Sequence, residues 1–163
     1  MKSVILFSHG SLLCGAGEAL ENHAARLRER GTAPLVKVGY LNYNEPTFLQ
    51  TVQACAEAGA TQIRVSPYFL IPGKFVKVDL PKQVAEAQAA FPNITFEIAD
   101  ALGFDERLAD ALIESANGAA ADGWRINLER AQLACRPDPQ CPLYNTAFCP
   151  KHPGDDLPRL GDE

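Results

Sequence analysis

The sequence predicts an α/β fold: a four-stranded parallel sheet with helices on both faces, followed by an irregular, cysteine-containing C-terminal tail. Three observations lead there. Strand-like and helix-like patterns alternate four times up to residue 116. The first strand-like segment is a short apolar run without polar alternation, the pattern of a strand covered on both faces, and the third is rich in β-branched residues. A β-α-β-α order joins neighbouring strands by helical crossovers, which makes the sheet parallel.

Residues 3–8 form the first apolar run, without polar alternation, ending at His9-Gly10-Ser11. Residues 17–30 carry Leu20, Ala24 and Leu27 at helical spacing, and Gly31 suits a helix stop. Residues 35–41 read as the second strand. Pro46 is placed to open the second helix, with Phe48, Leu49, Val52 and Cys55 or Ala56 as its inward stripe and Gly59 near its end. Residues 61–68 are rich in β-branched side chains and form the third strand. Residues 69–78 read as a loop broken by Pro72-Gly73, after which Asp79 is a candidate N-cap for a helix with Val84 and Ala87 on its apolar side. Pro92 ends that helix. Residues 94–99 supply the fourth strand and residues 106–116 the fourth helix, with Leu108, Leu112 and Ile113 expected inward.

Two regions follow: an α/β domain over residues 1–118 and a C-terminal extension over residues 119–163. Residues 124–134 suit a short helix, and beyond Cys135 prolines are many and periodic apolar positions few. Such a tail stays disordered unless something pins it. The net charge of −5 carries no strongly basic face, which argues against a nucleic-acid binder. No run approaches the ~20 apolar residues of a membrane span, and the N-terminal apolar run is too short for a signal peptide, so a cytoplasmic setting is expected. The five cysteines, an odd number, argue against a disulfide framework.

In open parallel sheets ligands bind beyond the carboxyl ends of the strands. His9 follows the first strand, Glu45 the second, and the 69–78 loop the third, so all three should gather on one edge. An imidazole there is poised as ligand or base, or simply hydrogen-bonds within the turn. A carboxylate just before a helix complements the helix dipole, or joins the imidazole in a mixed nitrogen–oxygen site for cobalt, iron, nickel or zinc. Lys74, Lys77 and Lys82 flank the same loop, as attractors of an acidic ligand or as an ordinary solvated face. His23 sits in a polar helical setting and is expected to be exposed.

With these pieces in order, residues 4–115 resemble the sirohydrochlorin chelatases, the short class of cobalt or iron chelatases. The matching motifs are Ser8-His9-Gly10-Ser11, Glu45-Pro46, Pro67-Tyr68-Phe69-Leu70 with Gly73, and Asp79-Leu80-Pro81. Gly59-Ala60 and Leu102-Gly103 also fit. The resemblance implies a chelatase-like fold, a homodimer, and insertion of a divalent metal into a tetrapyrrole in cobalamin or sirohaem biosynthesis. It implies His9 and Glu45 as metal ligands and catalytic groups, with Ser11, Phe69, Lys74, Phe75 and Lys77 facing the macrocycle. The family normally carries a further His in the loop after the third strand; here that position is Phe75. Phe cannot bind metal or take a proton, although it can stack on a tetrapyrrole face. Cys14 offers a thiolate as a substitute ligand, or is a small loop residue.

Two other readings stay open. The fold can retain a tetrapyrrole or metal without turnover. Alternatively, Cys135, Cys141, Cys149 and His152 can hold zinc or an iron–sulfur cluster, although their spacing lacks a close Cys-x2-Cys pair.

Overall fold

The structure, a computed structural model, describes residues 1–11 and 16–117. The expected helix at 124–134, the tail cysteines, His152 and Cys14 lie outside those residues. The sheet consists of β1 (Lys2–Ser8), β2 (Leu35–Tyr40), β3 (Gln62–Pro67) and β4 (Thr95–Ile98), all parallel, in the order β2-β1-β3-β4. The crossovers are α1 (Ala16–Glu29), α2 (Phe48–Glu57) and α3 (Leu80–Ala90); α4 (Glu106–Ala116) follows β4. The two central strands are β1 and β3. Phe7 lies level with Gly39 of β2 and Pro67 of β3, so the carboxyl tips of three strands end together.

Alternation along β1 divides the core. Ile5 and Phe7 face Phe48, Val52 and Cys55 of α2 and Leu80 and Ala87 of α3, all buried. Leu6 faces the other way, onto Leu20 and Ala24 of α1 and Val36 and Val38 of β2. A residue spacing of two in the strands thus meets helical stripes on both faces. Phe7 and Phe48 meet edge to face with centroids 5.6 Å apart. Burying a side chain of that size stabilises the fold by roughly 1.5–3 kcal/mol. The Tyr40 hydroxyl donates to Gly17 O at 3.3 Å and ties the start of α1 to the end of β2; burial, helped by Glu21, pushes this phenol up to about 12.

Four local expectations need correction. Pro46 does not open α2. Thr47 caps it, accepting from the Gln50 amide while Gln50 Oε1 accepts from the Thr47 amide, so a capping box sets the start after the proline. Leu49 is outside the inward stripe and 43% exposed, because Phe48, Val52 and Cys55 already define the face that meets the sheet. The loop after β3 is not irregular to Val78, and Asp79 holds the N-cap position of α3, as expected, but its side chain does not cap the helix. Phe75–Asp79 form a π-helical turn running straight into α3, Asp79 is itself helical, and its carboxylate accepts from Lys74 Nζ at 3.0 and 3.1 Å. Pro81 explains the wide turn. It has no N–H for the carbonyl of Lys77 and its ring crowds that carbonyl, so the preceding turn opens and Leu80 N–H donates to Phe75 O.

Lastly, α4 does not bury its apolar side. Asp105 caps it, accepting from the Arg107 amide at 2.9 Å, and hydrogen bonds from Arg107 hold the Asp105 carboxyl at about 2. Yet Leu112 and Ile113 are each 60% exposed. The short edge strand β4 is only half covered, and the described chain offers α4 no second layer.

Candidate active site at the carboxyl edge of the sheet

The pairing of β1 with β2 continues past the strands. Leu41 N–H donates to Ser8 O at 2.9 Å, and Asn42 N–H to His9 O at 3.0 Å. On the other side Tyr68 N–H donates to Phe7 O at 2.7 Å. His9 is therefore held at the tip of a central strand, between the ends of its two neighbours. Gly10 then turns the chain at φ +85°, with its Cα so close to the Asn42 carbonyl that a Cβ would collide with it. Only glycine meets both conditions at low cost. Ser11 N–H donates to Asn44 Oδ1 at 2.7 Å and completes the latch between the two loops.

The His9 ring sits in an aromatic setting. Phe75 lies 4.7 Å from it, centroid to centroid, tilted by 44°, and Tyr43 meets it edge-on at 5.8 Å. Phe75 in turn lies 6.0 Å from Phe69, and Phe69 6.2 Å from Phe7. An aromatic row thus leads from the core to the edge. Phe69 is partly buried within it, while Phe75 is 36% exposed and Tyr43 60% exposed. Tyr43 has φ +64°, an uncommon conformation for a non-glycine residue and one that turns up disproportionately at functional sites.

Glu45 stands in the same loop as Tyr43, one residue beyond Asn44, with its side chain exposed. Tyr40 N–H donates to Pro46 O at 3.1 Å and brings this loop back to the end of β2. Glu45 makes no hydrogen bond or ion pair among the described residues, and no cluster of three or more His, Cys, Asp or Glu side chains placed for a metal occurs among them. Lys77 and Lys82 are exposed, and Lys74 is engaged by Asp79. His23 is exposed on α1 and packs against Tyr68 with centroids 5.2 Å apart. Hollows of about 140 Å³, lined by Glu21, Arg28 and Lys37 among others, and about 290 Å³, lined by Ala56 and Phe91 among others, include neither His9 nor Glu45. Among the described residues His9, Tyr43 and Phe75 form a partly exposed aromatic ledge at the strand tips.

The structure brings His9, Tyr43, Phe69 and Phe75 together and hangs Glu45 from the same loop as Tyr43. Sequence reasoning missed Tyr43 and Asn44. The signal was the Asn42-Tyr43-Asn44 triplet, since asparagine is favoured where a turn needs side-chain bonds to backbone.

Fold and edge together define the class: an open parallel α/β domain with its candidate site residues at the carboxyl tips of the strands, the edge at which such sheets bind ligands. The chain belongs to the CbiX family, whose model matches residues 3–119. It is 34% identical over 119 residues to the sirohydrochlorin cobaltochelatase of Sulfolobus acidocaldarius, covering 73% of this chain and 93% of that one. It is 28% identical over 122 residues to the sirohydrochlorin ferrochelatase of Priestia megaterium, covering 75% of this chain and 46% of the relative. Among solved structures it resembles the sirohydrochlorin chelatase SirB from Bacillus subtilis subspecies spizizenii in complex with cobalt. That match has a TM-score of 0.68 and 26% identity, and covers 73% of this chain and 51% of the other. The chain thus spans about half the length of several relatives it matches. No helix among the described residues is long and apolar enough to cross a membrane.

Proposed function

We propose that the chain inserts a divalent metal ion, cobalt or iron, into sirohydrochlorin. The observation that carries this reading is His9, held at the tip of a central strand by the backbone bond from Asn42 and set against the Tyr43 and Phe75 rings. The reaction exchanges two pyrrole N–H protons for one metal ion. A neutral imidazole binds the incoming ion or accepts one of the protons. Glu45, unpaired among the described residues, supplies a carboxylate for the other role. Tyr43 and Phe75 offer aromatic surface to a flat macrocycle, Ser11 lies beside the His9 turn, and exposed Lys77, together with Lys74, which pairs with Asp79, attracts substrate carboxylates. A cytoplasmic setting and a homodimer belong to the same reading.

The test is insertion of Co²⁺ or Fe²⁺ into sirohydrochlorin followed by absorbance, with and without protein. Metallation clearly faster than the spontaneous reaction is expected. Rates equal to it end the proposal. Phe75 against the His9 ring favours a second reading, retention of the tetrapyrrole without turnover. Its signature is a shifted absorption with no metallated product, together with activity that arises only in Phe75→His.

The tail residues Cys135, Cys141, Cys149 and His152 are proposed, on their chemistry alone, as a site for zinc or an iron–sulfur cluster. Protein purified without oxygen is expected to carry stoichiometric zinc or iron that a Cys135/Cys141/Cys149 triple serine variant loses. Metal-free native protein removes this site.

A further inference from the structure

The face of α4 is amphipathic and largely uncovered. Half-buried Leu108 and exposed Leu112 stand one turn apart, Ile113 follows Leu112, and no residue of the helix is fully buried by the described chain. The approach to the helix adds Leu102 at 50% and Phe104 at 88% exposure. Exposed apolar side chains grouped in this way along one segment are what an interaction site presents. The polar side carries Glu106, Asp110 and Glu114 against Arg107 alone, three negative charges to one positive.

We propose that residues 124–136 of the same chain cover this face. This segment holds Trp124, Ile126, Leu128 and Leu133, and it carries Arg125, Arg130 and Arg136 against Glu129 alone, three positive charges to one negative. Its charge is opposite to that of α4. A second copy docking through α4 would instead set one acidic helix against another. Reach is ample. Helix α4, at 11 residues, is ~16 Å long, and the six residues 118–123 span up to ~20 Å, enough to turn back along it. Tethering at the helix's own C-terminus raises the local concentration of the segment to the millimolar range, far above that of a free partner.

Trp124 is the single tryptophan and reports directly on the contact. In the full-length chain its emission is expected to be blue-shifted and shielded from acrylamide. The double variant Leu112→Asp/Ile113→Asp should shift the emission to the red and raise quenching several-fold. Circular dichroism should stay unchanged, since neither side chain belongs to the core. Leu128→Asp should do the same from the other side. Asp110→Lys/Glu114→Lys, which leaves the apolar face intact, should give a smaller shift that high salt imitates in the native chain. Sedimentation of the same samples gives the number of copies. A solvent-exposed Trp124 in the native protein overturns the proposal, as does a shielded Trp124 indifferent to the α4 variants. A dimer that dissociates in Leu112→Asp/Ile113→Asp with Trp124 emission unmoved assigns the face to a second copy and overturns it as well.

Discussion

His9→Ala is expected to abolish the protein-dependent part of metal insertion, returning the rate to that of the uncatalysed reaction. Ligation or proton acceptance by a positioned imidazole is worth roughly 10²–10⁴-fold. Among the described residues the other imidazole, His23, packs on Tyr68 and has no ring contact in the aromatic row that holds His9. The substitution removes chemistry while sparing the ledge. The hydrogen bonds at the tip of β1 are made by backbone atoms of Ser8 and His9, and alanine keeps them. Sirohydrochlorin titrated into His9→Ala should therefore still perturb its own absorption through Tyr43 and Phe75. Full activity in the variant would remove His9 from the reaction and leave the ledge as a binding surface only.

Gly10→Ala should be the most damaging small substitution outside the core. A left-handed φ costs an L-residue about 1–2 kcal/mol by itself. At Gly10 the new methyl group also meets the Asn42 carbonyl and comes within 2.9 Å of Asn44 Oδ1, so the latch to the β2 loop must give way. Overpacking of this kind adds about 1–3 kcal/mol, for a total near 2–5 kcal/mol. Gly59→Ala is the natural control: it shares a positive φ, of +82°, but its methyl group would meet nothing within 4 Å. It should lose only the conformational part. Urea denaturation of both variants measures the difference, and equal losses would show that the Asn42 contact carries no energy. Because the same turn aims His9, Gly10→Ala should also lose metal insertion at temperatures where the domain remains folded.

Much of this edge was legible in the residues. A buried run that stops at His-Gly-Ser, and a Glu-Pro step after the second strand, place an imidazole and a carboxylate at neighbouring strand tips once the sheet is parallel. The inward stripes of α1 and most of α2 follow from spacing, and Leu20, Ala24, Phe48, Val52 and Cys55 are buried as expected. Helix starts were harder, because Pro46 and Asp79 are both good openers in isolation. The structure passes over Pro46 for the Thr47–Gln50 capping box, whereas Asp79 does hold the N-cap position of α3 but gives its carboxylate to Lys74.

What the sequence alone determined is the succession of elements and the chemical groups offered at their ends. Those depend on periodicity and on glycine and proline, which act over a few residues. Tertiary structure decided what surrounds those groups. Phe75 reaches the His9 ring because the missing N–H of Pro81 opens a π-helical turn, and Tyr43 reaches it because the Asn42 and Asn44 bonds fold one loop onto another. Such contacts join residues more than thirty positions apart, and only the closed sheet brings them within a few ångströms.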